Sequence, residues 1–366
     1  MERAGVSRSL RTRRNRARLL ALGTVALIAS GVSATITPAA RASAPARGLE
    51  GIPRFSHVVV LVEENETEST TFDPASPAHY LNSLRPQGVF LPNYYGTDHA
   101  SLDNYVAMVS GQPDNPASAE DCLELSLYNC AQIQSAYDNG RNLGDQLDAA
   151  QVTWTSYMDS TPTACFHAAY SPTSPAPDPY RGDTQKPPAR DYADRHNPFV
   201  WFPDFVGDPA RCAAHQKPYS TLAGDLAANR LPQFSFITPD TCNDGHDNPC
   251  SDGKPGGLVS ADAWLKTNVP PLLDYLRHHD GLLIVNFDEG LVDLKDTCSS
   301  CASGGIGGRT GALLISPRLQ GGLDVSTSYD HFSLLRTIED SFGISEHLNL
   351  AAAATPMTQV FAAASR

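Results

Sequence analysis

The chain has 366 residues, 41% of them hydrophobic, with 27 Lys and Arg set against 40 Asp and Glu and a formal net charge of −13. A surface this acidic repels nucleic acid and anionic membranes, so a general electrostatic binder of either is excluded. An anionic substrate would need the sign reversed locally, and a bound cation does that.

The first segment, "RSLRTRRNRARLLALGTVALIASGVSA", has a basic head, an apolar run and small residues after it, the pattern of a secretory signal. Cleavage fits after Ala34 or after Ala44. The apolar run from Leu19 to about Val32 is broken by Gly and Ser and falls short of the roughly 20 apolar residues a membrane span needs. Residues 1–44 are therefore taken as signal and pro-region, and residues 45–366 as one catalytic domain. That part keeps 19 of the basic residues and 39 of the acidic ones. The expectation is a secreted protein with no nucleic-acid partner and no stable membrane insertion after cleavage.

The first predicted strand, "HVVVLVEE", stops in Glu63, Glu64 and Asn65. Helix-like segments follow in "AHYLNSLRPQG", in "SLDNYVAMVSG" beginning at Ser101, and in "NLGDQLDAAQ". "VTWTSYM" is the next strand. Residues 160–220, rich in Pro, Tyr, Asp and Arg, form a long excursion whose aromatics suit a lid or wall rather than a linker. Then come the strand "FSFITPD", the helix "ADAWLKTNVPPLLDYLRHH", the strand "GLLIVNFDE", a Gly-rich loop without phosphate-cradling spacing, the strand "GALLISP" and the helix "HFSLLRTIEDSFG". Strands alternating with helices, and apolar runs that are continuous, predict an α/β fold with a mostly parallel sheet covered on both faces.

Eight cysteines suit an oxidising compartment. Their spacing suggests loop staples pairing Cys122 with Cys130, Cys165 with Cys212, Cys242 with Cys250 and Cys298 with Cys301. Other connectivities stay open, as does a redox or zinc role for "CSSC".

In open α/β sheets ligands collect beyond the carboxyl ends of the strands. That rule gathers Glu64 and Asn65 from one strand, Asp288 and Glu289 from another, and Asp240, Asp244, His246 and Asp247 from a third. Each has an ordinary structural alternative: a helix cap, a solvated turn, a polar loop residue. Their coincidence at separate strand ends points to a divalent cation, since grouped buried acids are costly without one. Oxygen-rich ligation suits Ca²⁺, Mg²⁺ or Mn²⁺, and Zn²⁺ if imidazoles join. Ser101, at a helix start, is either an N-cap or a nucleophile placed where the helix dipole favours an anion.

"HVVVLVEEN", "HASLDNYVAMVSG", "RHNPF", "NDGHD", "LLIVNFDEG" and "YDHFSLLRTIEDSFG" occur in the order seen in the phosphoesterase family of bacterial secreted acid phosphatases and phospholipases C. Over residues 53–345 the chain resembles the compact acid phosphatases of that family, some of which act on phosphoinositides. The resemblance implies an alkaline-phosphatase-like, three-layer α/β/α sandwich and a phosphate-ester substrate. It implies Glu64, Asn65, Ser101, Asp288 and Glu289 as metal ligands, Ser101 also as nucleophile, and His196 and His246 as contacts of the phosphoryl group. His331 occupies a recurrent position too, where packing at a helix start suits it better. The chain departs from the family's pattern after Asn65, where "ENETESTTFD" replaces a short Arg-Ser-Phe-Asp run, and at Ala100 and Asp103, where Pro is usual. The expected activity is hydrolysis of phosphate monoesters through a phosphoserine. A phospholipase C-like phosphodiesterase and a non-catalytic secreted metal-binding protein are the alternatives. A sulfatase is disfavoured because the modified Cys or Ser motif is missing around Ser101.

Overall fold

"VVVLV" dictates where its strand must go: five consecutive branched aliphatic residues gain most when both faces of the strand are covered. The computed structural model describes residues 48–115, 118–121, 140–166, 191–291 and 296–363. The signal segment, the Cys122–Cys130 pair and residues 167–190 of the excursion lie outside them. Contacts gather Ala44–Arg366 into one compact unit. In it, β1 (His57–Glu63) lies inside an eight-stranded sheet.

The strands, in chain order, continue as β2 (Val89–Leu91), β3 (Tyr94–Tyr95), β4 (Trp154–Met158), β5 (Gln216–Pro218), β6 (Phe234–Thr238), β7 (Gly281–Phe287), β8 (Ala312–Ile315), β9 (Leu323–Asp324) and β10 (Tyr329–Asp330). The large sheet runs β5-β4-β6-β1-β7-β8-β2-β9, and β10 pairs with β3 separately. From β5 through β7 every pairing is parallel. β8 is antiparallel to both its neighbours.

Period-two alternation splits β1 between two cores. Val58, Val60 and Val62 join the aromatic cluster under the Ser101–Ser110 and His331–Phe342 helices, with Leu102, Tyr105, Leu334 and Ile338. Val59 and Leu61 face the Leu258–His278 helix, with Leu265, Val269, Leu272 and Leu276. Complete burial of each such side chain contributes about 1.5–3 kcal/mol. The result is the expected three-layer α/β/α sandwich. Pro270 and Pro271 lie inside the Leu258–His278 helix, and the apolar stripe on either side of them offsets an interior-proline cost of about 3 kcal/mol each.

The described part of the excursion packs into the core. Phe199, Val200, Trp201, Phe202 and Phe205 are buried in the same cluster as Val58, Val60 and Val62 of β1, and Cys165–Cys212 joins the two described parts of the excursion. Cys242–Cys250 and Cys298–Cys301 close two further loops as their spacing suggested.

Candidate active site

Register brings the first two acids together. Val62 pairs with Asn286 and Glu63 with Phe287, and Asp288 N–H donates to Glu63 O (2.9 Å), so residues 64 and 288 leave the sheet side by side. Glu64 N–H donates to Asp244 O (2.8 Å), which draws the "NDGHD" loop to the same point. Asn65 then turns the chain in the left-handed region (φ 56°), which Asn tolerates better than most residues. Its N–H reaches Asp288 Oδ1 (3.0 Å) and its Nδ2 donates to Glu64 Oε2 (3.1 Å). Gly96 lets a second backbone pass: a Cβ there would stand 2.8 Å from Asp288 O.

The N-cap beside Ser101 is Ala100, in extended backbone (φ −159°, ψ 130°). Ser101 is thus the first helical residue, and its hydroxyl is spent elsewhere, donating to Glu64 Oε2 (3.1 Å). Its neighbour Leu102 N–H donates to Asp121 Oδ1 (2.8 Å). One turn on, Tyr105 stacks on His196 (centroids 5.2 Å apart, planes within 10°).

His196 hydrogen-bonds Asp244 Oδ2 through Nδ1 (3.1 Å). Its Nε2 comes within 3.3 Å of Glu64 Oε1, yet neither of those two atoms has a hydrogen-bond partner, and Asp288 Oδ2 has none either. All three are buried. A proton donated from Nδ1 leaves lone pairs facing one another at Nε2 and Oε1, an arrangement that a cation resolves. Ligand atoms of Glu64, His196 and Asp244 all lie within 4.8 Å of one another, and among the described residues this is the only such group of three.

The electrostatics agree. Burial, then the charges of Asp288 and Asp244, pushes the Glu64 carboxyl well above its ordinary value. Burial likewise raises Asp244, and it lifts Asp288 to about 6. His196 is held well below its usual range by burial, then by Arg195 and His246. Two carboxylates and a neutral imidazole converging with open lone pairs fit a divalent ion, and Asp288 lies beside them.

Of the residues expected from sequence, Glu64, Asn65, Ser101 and Asp288 are therefore linked in one hydrogen-bonded group. Glu289 is buried nearby but engages His99 Nδ1 (2.8 Å), and burial, then Asp288, raises its carboxyl to about 10. His246 stands edge-on to His196 (5.6 Å between centroids), with Nδ1 on Asp247 Oδ1 (2.9 Å) and Nε2 on Arg195 Nη2 (3.0 Å). His331 packs as anticipated: it is fully buried, bonded to Tyr94 OH (2.9 Å) and to the main-chain oxygen of Asp288.

Sequence reasoning did not single out three residues of this neighbourhood. Asp244 appeared only as one of four polar residues after β6. Arg195 and His99 stand next to residues that were singled out, and nothing local in the sequence says which way they turn.

Comparison with known proteins gives a consistent result. The model of the Phosphoesterase family matches residues 70–345, and the chain belongs to that family. It is 29% identical over 279 residues to the phosphate-repressible acid phosphatase of Penicillium chrysogenum, covering 76% of this chain and only 57% of that relative. With the phosphatidylinositol-3-phosphatase of Mycobacterium tuberculosis it shares 25% identity over 314 residues, 85% of this chain and 84% of that one. A solved structure from Vibrio parahaemolyticus, a protein in the alkaline phosphatase superfamily, superposes with a TM-score of 0.51 at 14% identity. The match covers 82% of this chain and 69% of that one, and it establishes the shared fold.

Proposed function

We propose that this member of the Phosphoesterase family is a metal-dependent acid phosphatase that hydrolyses phosphate monoesters through a phosphoserine at Ser101. One observation carries the reading: the Ser101 hydroxyl, at a helix N-terminus, donates to Glu64 Oε2 while Glu64 Oε1 faces the unpartnered His196 Nε2. The nucleophile and the cation-binding cluster share one carboxylate.

Glu64, His196 and Asp244, with Asp288 adjacent, would hold the ion. When bound it supplies Lewis-acid stabilisation of the phosphoryl charge and eases ionisation of the hydroxyl. The remaining work falls to the chain. Glu64 Oε2 accepts the Ser101 proton, and Asn65 Nδ2 steadies that same oxygen. At the start of the Ser101–Ser110 helix Leu102 N–H is already taken by Asp121 Oδ1, so the helix dipole rather than that amide favours an anion beside Ser101. Ser101 Oγ attacks phosphorus, the bond to the alcohol oxygen breaks, and the alcohol departs with a proton. Water then cleaves the phosphoserine and restores the hydroxyl. His246 is assigned to the wall that surrounds the phosphoryl group, and the phosphoryl contact expected of His196 gives way to its place among the residues that would hold the ion.

The likeness to a phosphatidylinositol-3-phosphatase supports phosphoinositide monoesters as candidate substrates. Secretion is part of the same proposal. It is supported by three disulfides among the described residues and by the signal-like N-terminus.

The test is turnover of a chromogenic phosphomonoester, a phosphodiester and phosphatidylcholine by the purified protein, with chelator and after return of Ca²⁺, Mg²⁺, Mn²⁺ or Zn²⁺. Monoester turnover that chelation abolishes, and that Ser101→Ala reduces at least about a thousandfold, is the expected result. Diester turnover exceeding monoester turnover would shift the reading to a phosphodiesterase. Metal-dependent thermal stabilisation without turnover of any ester would make the protein a binding protein.

A further inference from the structure

Tyr105 stands one turn beyond Ser101 in the Ser101–Ser110 helix, so the two side chains share one face of it. Ser101 spends its hydroxyl on Glu64 Oε2 (3.1 Å). Tyr105 lies flat against the His196 ring, with centroids 5.2 Å apart and planes within 10°. A single helix face thus touches two of the three residues whose ligand atoms converge.

The Tyr105 side chain is fully buried, and its hydroxyl has no hydrogen-bond partner among the described residues. Burial, then the charges of Glu64, Asp288 and Asp244, raise the phenol well above the ordinary tyrosine range. Those are the acids of the cluster, and the O–H is turned to Glu64. A buried hydroxyl left without a partner is costly, and a position that served packing alone would take phenylalanine, as Phe199 and Phe236 do in the same core.

His196 needs what this ring supplies. Its Nδ1 is held by Asp244 Oδ2 (3.1 Å), and His246 meets it only edge-on. The bond at Nδ1 sets the tautomer, while the ring laid across its face sets the plane in which Nε2 points at Glu64 Oε1 (3.3 Å).

We infer that Tyr105 is a positioning residue for the cation site: its ring holds the imidazole plane of His196, and its hydroxyl is the donor that steadies the Glu64 carboxylate. The inference rests on the cation-binding reading of the cluster. It also ties that cluster to the nucleophile, because Tyr105 and Ser101 sit on consecutive turns of one helix.

The experiment titrates Mn²⁺ and Zn²⁺ into the metal-free protein by calorimetry for the wild type, Tyr105→Phe, Tyr105→Leu and Phe342→Leu. It then follows steady-state turnover of the chromogenic monoester at saturating metal. Phe342 is buried in the same core at the far end of the His331–Phe342 helix, and it controls for the loss of a buried aromatic ring. Urea unfolding of each metal-free variant reads the structural cost alone. Tyr105→Phe keeps the stack and removes an unpartnered hydroxyl, so it should be at least as stable as the wild type without metal, yet bind either ion about threefold to tenfold more weakly. Tyr105→Leu loses ring and hydroxyl and should bind about tenfold to a hundredfold more weakly, the range for outer partners of metal ligands. Tyr105→Met takes its place if that variant does not fold. Phe342→Leu should lose stability and keep both affinities. At saturating metal, Tyr105→Leu should lower kcat and leave KM within about twofold, since the ring touches no substrate. Wild-type affinity in Tyr105→Phe overturns the role of the hydroxyl. Wild-type affinity in Tyr105→Leu, or a loss no larger than that of Phe342→Leu, overturns the inference and leaves the phosphatase reading standing. A wild type that takes up neither ion overturns the inference together with the site it serves. The expected order of affinities in a protein that turns over no ester removes the phosphatase reading and leaves the positioning role of Tyr105 intact.

Discussion

Replacing Asp288 by Asn should make the metal-free protein more stable. Asp288 is fully buried beside Glu64, and burial holds a carboxyl that ordinarily titrates near 3.8 at about 6. At about 1.4 kcal/mol for each tenfold change in proton affinity, this amounts to about 3 kcal/mol once both states are ionised. The sign follows from the raised value. The folded protein prefers the protonated acid, so its relative stability is greatest below about 3.8 and is lost as pH rises through about 6. Asn keeps an oxygen for the Asn65 N–H and carries no charge. Asp288→Asn should therefore match the wild type near pH 4 and exceed it by up to about 3 kcal/mol at pH 7, a rise of several degrees in Tm for a chain of this size. Added divalent ion should narrow or reverse the difference, because only the wild type has the full set of acids to offer it. Calorimetry at pH 4.5 and 7, each with chelator and with metal, reads all four states. A variant destabilised at pH 7 in chelator, or a gain equal at both pH values, refutes the reasoning.

Glu339 gives a similar response far from the site. Burial lifts its carboxyl to about 8, and its Oε1 accepts Leu348 N–H (2.9 Å), so Glu339→Gln should equal the wild type near pH 4.5 and be the more stable by a few kcal/mol above pH 8, read by denaturant unfolding across pH. At Asn65 the left-handed backbone separates two variants that both lose the carboxamide: Asn65→Ala should be less stable than Asn65→Gly by about 1 kcal/mol or more. Equal midpoints in urea would show that the turn is not held in that conformation. Removing Cys242–Cys250 should cost about 2–3 kcal/mol by calorimetry and weaken the metal-induced rise in Tm, since Asp244 lies in the loop it closes.

Much of this arrangement was written in the sequence, and the reason is physical. Continuous apolar runs mark strands buried on both faces, and in a parallel sheet their carboxyl ends lie on one side, so Glu64 and Asp288 could be brought together on paper. The Ser101 helix was legible from its periodicity. Direction was not: "GALLISP" looks the same whichever way it runs, and β8 runs against its neighbours. Strands of two or three residues, such as β3, β9 and β10, leave no period to detect. Asp244 could not be ranked above Asp240 or Asp247, because which acid of a loop turns inward depends on the Glu64 N–H to Asp244 O bond that folding creates. The same holds for Arg195, whose neighbours come from segments 50 or more residues away.

The alternation along β1 carries a final implication. Val58, Val60 and Val62 look one way, Val59 and Leu61 the other, and the aim of Glu64 depends on the parity of its distance from them. Gaining or losing a single residue within this strand would exchange its two sides, driving aliphatic groups into the wrong layer and rotating the carboxylate away from Ser101 by half a turn. Descendants of this chain can lengthen the loops at will, but this strand can change length only in steps of two.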